Sequence, residues 1–541
     1  MPSFTSGGSR PHLAKITWAV LCAGGLGLGA ATAQTQPAAA TPQRGGELIF
    51  ALNSDPASFD CQATTTYAVL HAVRPLYSGL INFDPETYPD VKPDLAESWE
   101  VSDDFKTYTF YLRKGVKFHD GSPLTSEDIK VTFERIVSPP EGVVSVRQAR
   151  YQDIERIETP DAHTVVFHLS RPNPAMLQTF ASPWNCVVSA EKVKQDPRWP
   201  ERNILGTGAF KFVDYTPGSM WRAERFDDHF QPDKPYLDGY RILFMKDAAM
   251  TNGIQGGQIH TYFVSMNPSQ YGPLKAAMGD RVEVQSSPYL CKHDIFFNHE
   301  KPPFNDPRVR QALNLAVDRW GGAQALSRIT NVKHVGGALR PGGPFAIDPQ
   351  ELEKLPGFSK DVKASREQAK QLLADANASN LSFKLSTRNL QSFTPLVIFL
   401  TDQWRQIGVK VEPEPLPVSQ QKASYMAGNY TVGLDANCYE ADEPNDQLAL
   451  YISHDRSPIN FSRYHDEELD ALYDKQKAAL TPEEREAAIR AFETRLINEA
   501  MTVPLAWWER NVVLSSNVKG WKALPSQYLN QDLTDVWLEK P

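Results

Sequence analysis

Cysteine is scarce, with five in 541 residues, and past residue 33 no apolar run approaches the ~20 residues needed to cross a bilayer. Enzyme signatures are also missing. There is no Gly-x-Ser-x-Gly elbow, no phosphate loop ending in Gly-Lys-Ser/Thr, no pair of histidines at i and i+4, and no EF-hand loop. Ser189-Ala190-Glu191-Lys192 has the Ser-x-x-Lys spacing of penicillin-recognising enzymes, but its Lys-Thr-Gly companion is absent, the nearest echo being Lys106-Thr107-Tyr108. A helix start accounts for it more simply. Gly206-Thr207-Gly208 reads as a turn, and the scattered histidines, His119 and His293 among them, read as structural or solvated. Basic surplus is lacking too. Lys+Arg is 56 against Asp+Glu 65, a net charge of −9 that disfavours nucleic acid and anionic membrane surfaces. A mean hydropathy of −0.42 argues against a polytopic membrane protein. With 41% hydrophobic and 22% charged residues, disorder and fibre are excluded and a large core is available.

Residues 1–33 contain no acidic side chain, carry Arg10 and Lys15, and run through an apolar, Gly-rich stretch from Ile16 to Ala31. This is the layout of a secretory signal, with cleavage expected after Ala33 in Ala31-Thr32-Ala33. Leu21 precedes Cys22 where lipid attachment wants a small side chain, so lipidation is not expected. Residues 34–44 read as a flexible leader. The exported product is expected to be periplasmic. Its four cysteines, Cys61, Cys186, Cys291 and Cys438, allow three full pairings and are too widely spaced for a compact zinc site.

The remainder reads as an α/β mixture. A strand over Leu48–Leu52 ends in the turn formers Asn53-Ser54-Asp55-Pro56, and Tyr108–Leu112 is β-prone with a hairpin expected in the residues that follow it, up to Gly121. Ser126-Glu127-Asp128 opens a helix to about Ile136. Further helices are predicted over 308–319, around Ala369, Leu372 and Leu373, over 394–407 leading into strand 409–411, and between Thr481 and Met501.

Several segments in fixed order carry a resemblance: Pro93-Asp94-Leu95-Ala96-Glu97-Ser98-Trp99, Tyr108 to Gly121, Gly206-Thr207-Gly208-Ala209-Phe210, and Pro302-Pro303-Phe304-Asn305-Asp306-Pro307-Arg308-Val309-Arg310-Gln311-Ala312-Leu313. From Gly45 to about Trp521 the chain resembles the family 5 extracytoplasmic solute-binding proteins of ABC importers, which include dipeptide- and oligopeptide-binding proteins. The resemblance implies an α/β, two-lobe periplasmic-binding-protein fold, type II, in the large form with an extra subdomain. Lobe one would comprise 45–69, 190–290 and 510–541, the extra subdomain 70–189, and lobe two 291–509. Ligand would be engulfed between the lobes, and a membrane permease would recognise the closed form.

The same resemblance implies a Cys291–Cys438 disulfide, leaving Cys61 and Cys186 as the second pair. It places Asp55 and Ala57 against the ligand backbone, and puts Glu440 where an ammonium is received, with Asp435 and Asp442 as secondary candidates and Asn437 a further ligand contact. No counterpart exists for the arginine that takes a peptide carboxylate, since Tyr425 and Leu434 stand in the corresponding places, and Arg388 is the substitute candidate. Tyr289, Tyr439 and Trp508 would form an aromatic wall. These readings predict a monomeric, non-catalytic receptor, without cofactor, metal or nucleic-acid partner, that delivers a small amine-bearing solute such as a peptide or amino-acid derivative. The competing readings are an exported hydrolase with an unrecognised nucleophile, a chemosensory or chaperone-like binder, and a carrier of another solute such as a sugar, opine, metal chelate or haem.

Overall fold

Alternating burial makes the first strand, Glu47–Leu52, whose Leu48 and Phe50 face a core. It pairs in parallel with Gly239–Phe244, which continues antiparallel to Met220–Arg225 and then Phe210–Thr216. The computed structural model describes residues 41–540; the proposed signal and most of the leader lie outside the described residues. The core beneath this first sheet draws on Val69, Leu76, Trp184, Trp221, Tyr240 and, from the far end of the chain, Val512, Leu514 and Trp521.

A second body has its own four-stranded sheet, in the order Ala96–Val101, Thr107–Leu112, Thr164–Leu169, Ile154–Asp161. Tyr108, Phe110 and Leu112 point inward to meet Phe133, Phe167 and Phe180. Strand Thr107–Leu112 pairs with the strands Ala96–Val101 and Thr164–Leu169. The turn residues that follow it close only a short loop, through Phe118 N to Ser122 O and Leu124 N to Val116 O, because Val116, Phe118 and Leu124 are drawn into the core. Helix Ser126–Val137 is capped one residue earlier than expected, by Thr125 in a reciprocal box with Asp128. Helix Tyr67–Val73, expected to lie partly in this body, packs into the first core instead.

Gly206-Thr207-Gly208 joins the two bodies. A Cβ at Gly206 would stand 2.1 Å from the Leu76 carbonyl oxygen, and one at Gly208 2.4 Å from the Leu76 carbonyl carbon, so only glycine allows this approach. Gly208 N donates to Leu76 O, and His119 N donates to Gly206 O.

The third body is built on a six-stranded mixed sheet, in the order Val332–His334, Val503–Ser515, Val282–Phe297, Val432–Cys438, Ser382–Arg388, Lys410–Leu416. The helix expected over 308–319 stops earlier, as Pro307–Leu315, because Asp318 caps a new helix, Arg319–Leu326, accepting from Gly321 N. Helices Val362–Asp375, Thr394–Arg405 and Pro482–Asn498 lie where the periodicity places them.

Two strands of this sheet are long enough to leave it. Val282–Phe297 and Val503–Ser515 form one antiparallel ribbon from Val282 opposite Ser515 to Ile295 opposite Val503, with a register shift between Pro288 and Lys292. At one end Val282 and Val513 pack with Met250, Ile254 and Ile259 against the first body; at the other, Ile295, Phe297, Val503 and Leu505 enter the core of the third. The molecule is therefore two lobes with separate cores, the second body attached to the first lobe, and a shared ribbon between them. Disulfides close Cys61–Cys186, within the first lobe and its attached body, and Cys291–Cys438, between neighbouring strands midway along the ribbon, at its register shift.

Candidate functional site

Where the ribbon passes between the lobes it carries aromatic side chains. Trp508 Nε1 donates to His293 Nδ1 at 2.9 Å, and the two rings lie 5.1 Å apart. Phe393 meets His293 edge to face at 5.1 Å, and Tyr289 packs against Trp508 at 6.2 Å. His293 is 1% exposed, and burial, with Arg388 nearby, lowers its pKa to about 3. It is therefore neutral, and since Nδ1 accepts, Nε2 carries the proton; that buried donor has no partner. Tyr289 donates to Gln527 Oε1 at 2.7 Å, close to Tyr67 and Tyr528. Tyr67, the first residue of its helix, bonds Asn53 at the end of the first strand and Tyr262. An aromatic strip thus runs from the second lobe across the ribbon to the first.

Tyr528 leads to a charged cluster at the strip's end. Glu440, 7% exposed, follows the Cys438 strand in lobe two, yet its partners come from the second body: Arg150 Nη1 at 2.5 Å and Arg147 Nε at 3.7 Å. Burial would raise the Glu440 carboxyl, but the two guanidinium groups hold it below the usual range. Arg147 is stacked 4.0 Å over Trp184 and donates to the carbonyls of Cys61 and Thr64. The second arm of Arg150 reaches Asp446 at 3.0 Å, whose pKa burial raises to about 6. A polar cavity of about 390 Å³ opens beside this pair, between the second body and lobe two, lined by Asp153, Arg171, Asp474 and Lys477 among others.

The other candidates for ligand contact are distributed as follows. Asp55 accepts from the Tyr215 hydroxyl and Gly218 N within lobe one, and Ala57 is exposed. Asp442 is gripped by Arg340 through Nε and Nη2 at 2.6–3.1 Å, while its backbone N–H donates to the Tyr88 hydroxyl of the second body. Asn437 donates to Asp294, which belongs to a buried group with Lys292 and Tyr451. Tyr439 turns its ring toward Lys292, and its backbone N–H donates to Leu290 O. Arg388 lies 2.6 Å from Asp435 and borders an apolar cavity of about 210 Å³ lined by Leu390, Phe393, Val397 and Ile398. The ribbon and lobe-two face thus bring Trp508, Tyr289 and Arg388 together around His293, and Glu440 ends the strip, whereas Asp55 and Ala57 stand apart from it.

Sequence reasoning missed Arg147, Arg150, Tyr67, Tyr262 and Tyr528. Arg147 and Arg150 are three apart in a segment without periodicity, so nothing local marked them as partners of a carboxylate some 290 positions later. Ser189 precedes helix Ala190–Gln195 as its N-cap residue, and Lys192 pairs with Glu191 in the first turn. Among the described residues no group of His, Cys, Asp and Glu is arranged to hold a metal ion, and no helix is long and apolar enough to cross a membrane.

Comparison with known proteins agrees with this architecture. The chain is 27% identical over 483 residues to haem-binding protein A of Haemophilus influenzae, covering 84% of this chain and 85% of that one. It is 26% identical over 527 residues to the periplasmic oligopeptide-binding protein OppA of Escherichia coli, covering 92% and 93%. Among solved structures, the ABC transporter substrate-binding protein CtaP of Listeria monocytogenes superposes with a TM-score of 0.80 at 24% identity, covering 92% of this chain and all of that one. AgaA of Agrobacterium tumefaciens in complex with agropinic acid gives 0.73 at 26%, covering 92% and 99%. Residues 90–458 match the model for the middle region of family 5. With two lobes, a shared ribbon and this match over more than half its length, the chain belongs to the bacterial extracellular solute-binding proteins of family 5.

Proposed function

We propose that this protein is the solute-binding component of an ABC importer, capturing a peptide or amino-acid derivative between its lobes and presenting it to a membrane permease. The ribbon carries the proposal: two bodies with separate cores are joined by one bendable two-stranded element, and the aromatic strip lies where they face each other. Flat side chains such as Trp508 and Tyr289 bury much area at little entropic cost, and the free His293 Nε2 donor offers a neutral hydrogen bond. In this reading Trp508, Tyr289 and Arg388 contact the solute, Asn437 and Tyr439 support the wall, and the solute leaves chemically unaltered. Export with cleavage after Ala33, a periplasmic site of action and lobe limits near 190, 291 and 510 belong to the same proposal. Relatives named for oligopeptides, dipeptides and glutathione support the solute class.

A thermal-shift screen of residues 34–541 against peptides and amino-acid derivatives tests it. A solute at 100 times its Kd adds about 2.7 kcal/mol, a clear rise in Tm, and mass spectrometry should recover it unchanged. A solute returned cleaved or modified overturns the receptor reading.

A further inference from the structure

The aromatic strip ends at a carboxylate that the protein has already neutralised from the opposite side. Glu440 stands on lobe two, but the guanidinium that meets it at 2.5 Å belongs to Arg150 of the second body, and Arg147 stands 3.7 Å away. Arg150 has the other arm on Asp446, so one side chain serves two lobe-two carboxylates. The other carboxylates of the lobe-two face are paired as well, from within lobe two. Asp435 has Arg388, Asp442 has Arg340, and Asp294 has Lys292. A ligand cation approaching Glu440 would have to displace a hydrogen-bonded guanidinium rather than fill an unpaired site, and charge-assisted pairs of this kind are among the strongest polar contacts. The buried polar atoms left without a hydrogen bond nearby include the neutral His293 Nε2 and Tyr439 hydroxyl, together with Arg147 Nε and Arg388 Nε, whose charges are already met by Glu440 and Asp435.

We infer that Arg150 is a specificity-determining residue that holds the place of a ligand's cationic head, so that the site favours solutes whose head group is uncharged over the same solutes with a free ammonium. This rests on the proposed receptor function and narrows its solute class. Arg150 is the displaceable member of the pair of arginines, since its side chain is 30% exposed and borders the 390 Å³ cavity, whereas Arg147 is 7% exposed and fixed over Trp184.

The test uses two probes that differ at one end, Ala-Phe-Ala amide and N-acetyl-Ala-Phe-Ala amide, titrated calorimetrically into wild type, Arg150→Gln, and the double variant Arg150→Gln/Glu440→Gln. The double variant removes both charges of the pair and so leaves no new uncompensated charge if Arg150→Gln alone folds poorly. Wild type should bind the acetylated probe at least tenfold tighter. Arg150→Gln should shift the ratio at least tenfold toward the free amine, and the double variant should lose that shift. Equal affinities in wild type, a wild-type preference for the free amine, or a ratio that Arg150→Gln leaves unmoved would overturn the assignment while leaving the receptor function standing. Binding of neither probe by any variant would remove the peptide class and the assignment together.

Discussion

Lys292 has no solvent contact, and its ammonium is held by Ala338 O at 2.8 Å, by the Tyr451 hydroxyl and by Asp294 at 3.5 Å, with the Trp507 and Tyr451 rings 4.9 and 4.5 Å away. Burial lowers its pKa while Asp294 and Glu493 act in the opposite sense. Replacing Lys292 by Met strands the Asp294 charge in the core. Urea unfolding should show a loss of about 3–5 kcal/mol, largely restored in Lys292→Met/Asp294→Asn, because removing both charges spares the desolvation cost. Trp508→Ala acts on recognition as well as on the edge of the lobe-two core: it removes the half-buried ring and leaves His293 Nδ1 without its donor. Affinity for the solute found in the thermal-shift screen should fall about tenfold or more by calorimetry, near 1.4 kcal/mol. At this scale the sequence was partly legible. Trp508 and Tyr289 could be singled out because the resemblance marked their segments, but the charge state around Glu440 was hidden, since its arginines come from a distant and unpatterned stretch.

Among the elements, the Gly206–Gly208 turn ties the second body to the first lobe by passing directly over the Leu76 peptide. Gly208→Ala puts a methyl group 2.5 Å from Pro75 O, and the resulting displacement should cost about 1–3 kcal/mol in denaturant titration. The same substitution at Gly218, where nothing lies within 4 Å, should cost less than this steric clash does, through its left-handed φ of 71° alone. The Cys291–Cys438 link closes 147 residues of chain at the register shift midway along the ribbon. Its double serine variant should lose about 2–5 kcal/mol by the loop-entropy argument, read as a lower Tm. Strands and helices with a clear apolar period were visible in advance, as in Glu47–Leu52, Thr394–Arg405 and Pro482–Asn498. The crossings near 290 and 510 were expected from the resemblance, but the paired ribbon was not, because strand periodicity is the same inside a lobe and between lobes, and only pairing partners reveal that Val282–Phe297 belongs to both.

For the molecule as a whole, acid is the informative variable. Burial keeps His71, His293 and His299 at about 3 and His119 and His229 at about 4, against 6.5 in the unfolded chain. Below pH 6.5 the unfolded chain therefore takes up protons that the folded one refuses, and stability falls with falling pH until those lower values are passed. Asp446, raised to about 6, and Asp94, Asp128 and Glu493, raised by burial, act oppositely, since folding favours their protonated forms. The five histidines outweigh them, so Tm should drop by several degrees between pH 6.5 and 4.5, as scanning calorimetry can measure. Finally, the core of the first lobe takes Leu48 and Phe50 from one end of the chain and Leu514, Trp521, Leu533 and Val536 from the other. A growing polypeptide therefore cannot complete that lobe until Val536 has emerged, well after the second lobe's strands have been made. The half begun first is thus the half closed last, its core lacking Leu514, Trp521, Leu533 and Val536 over that interval.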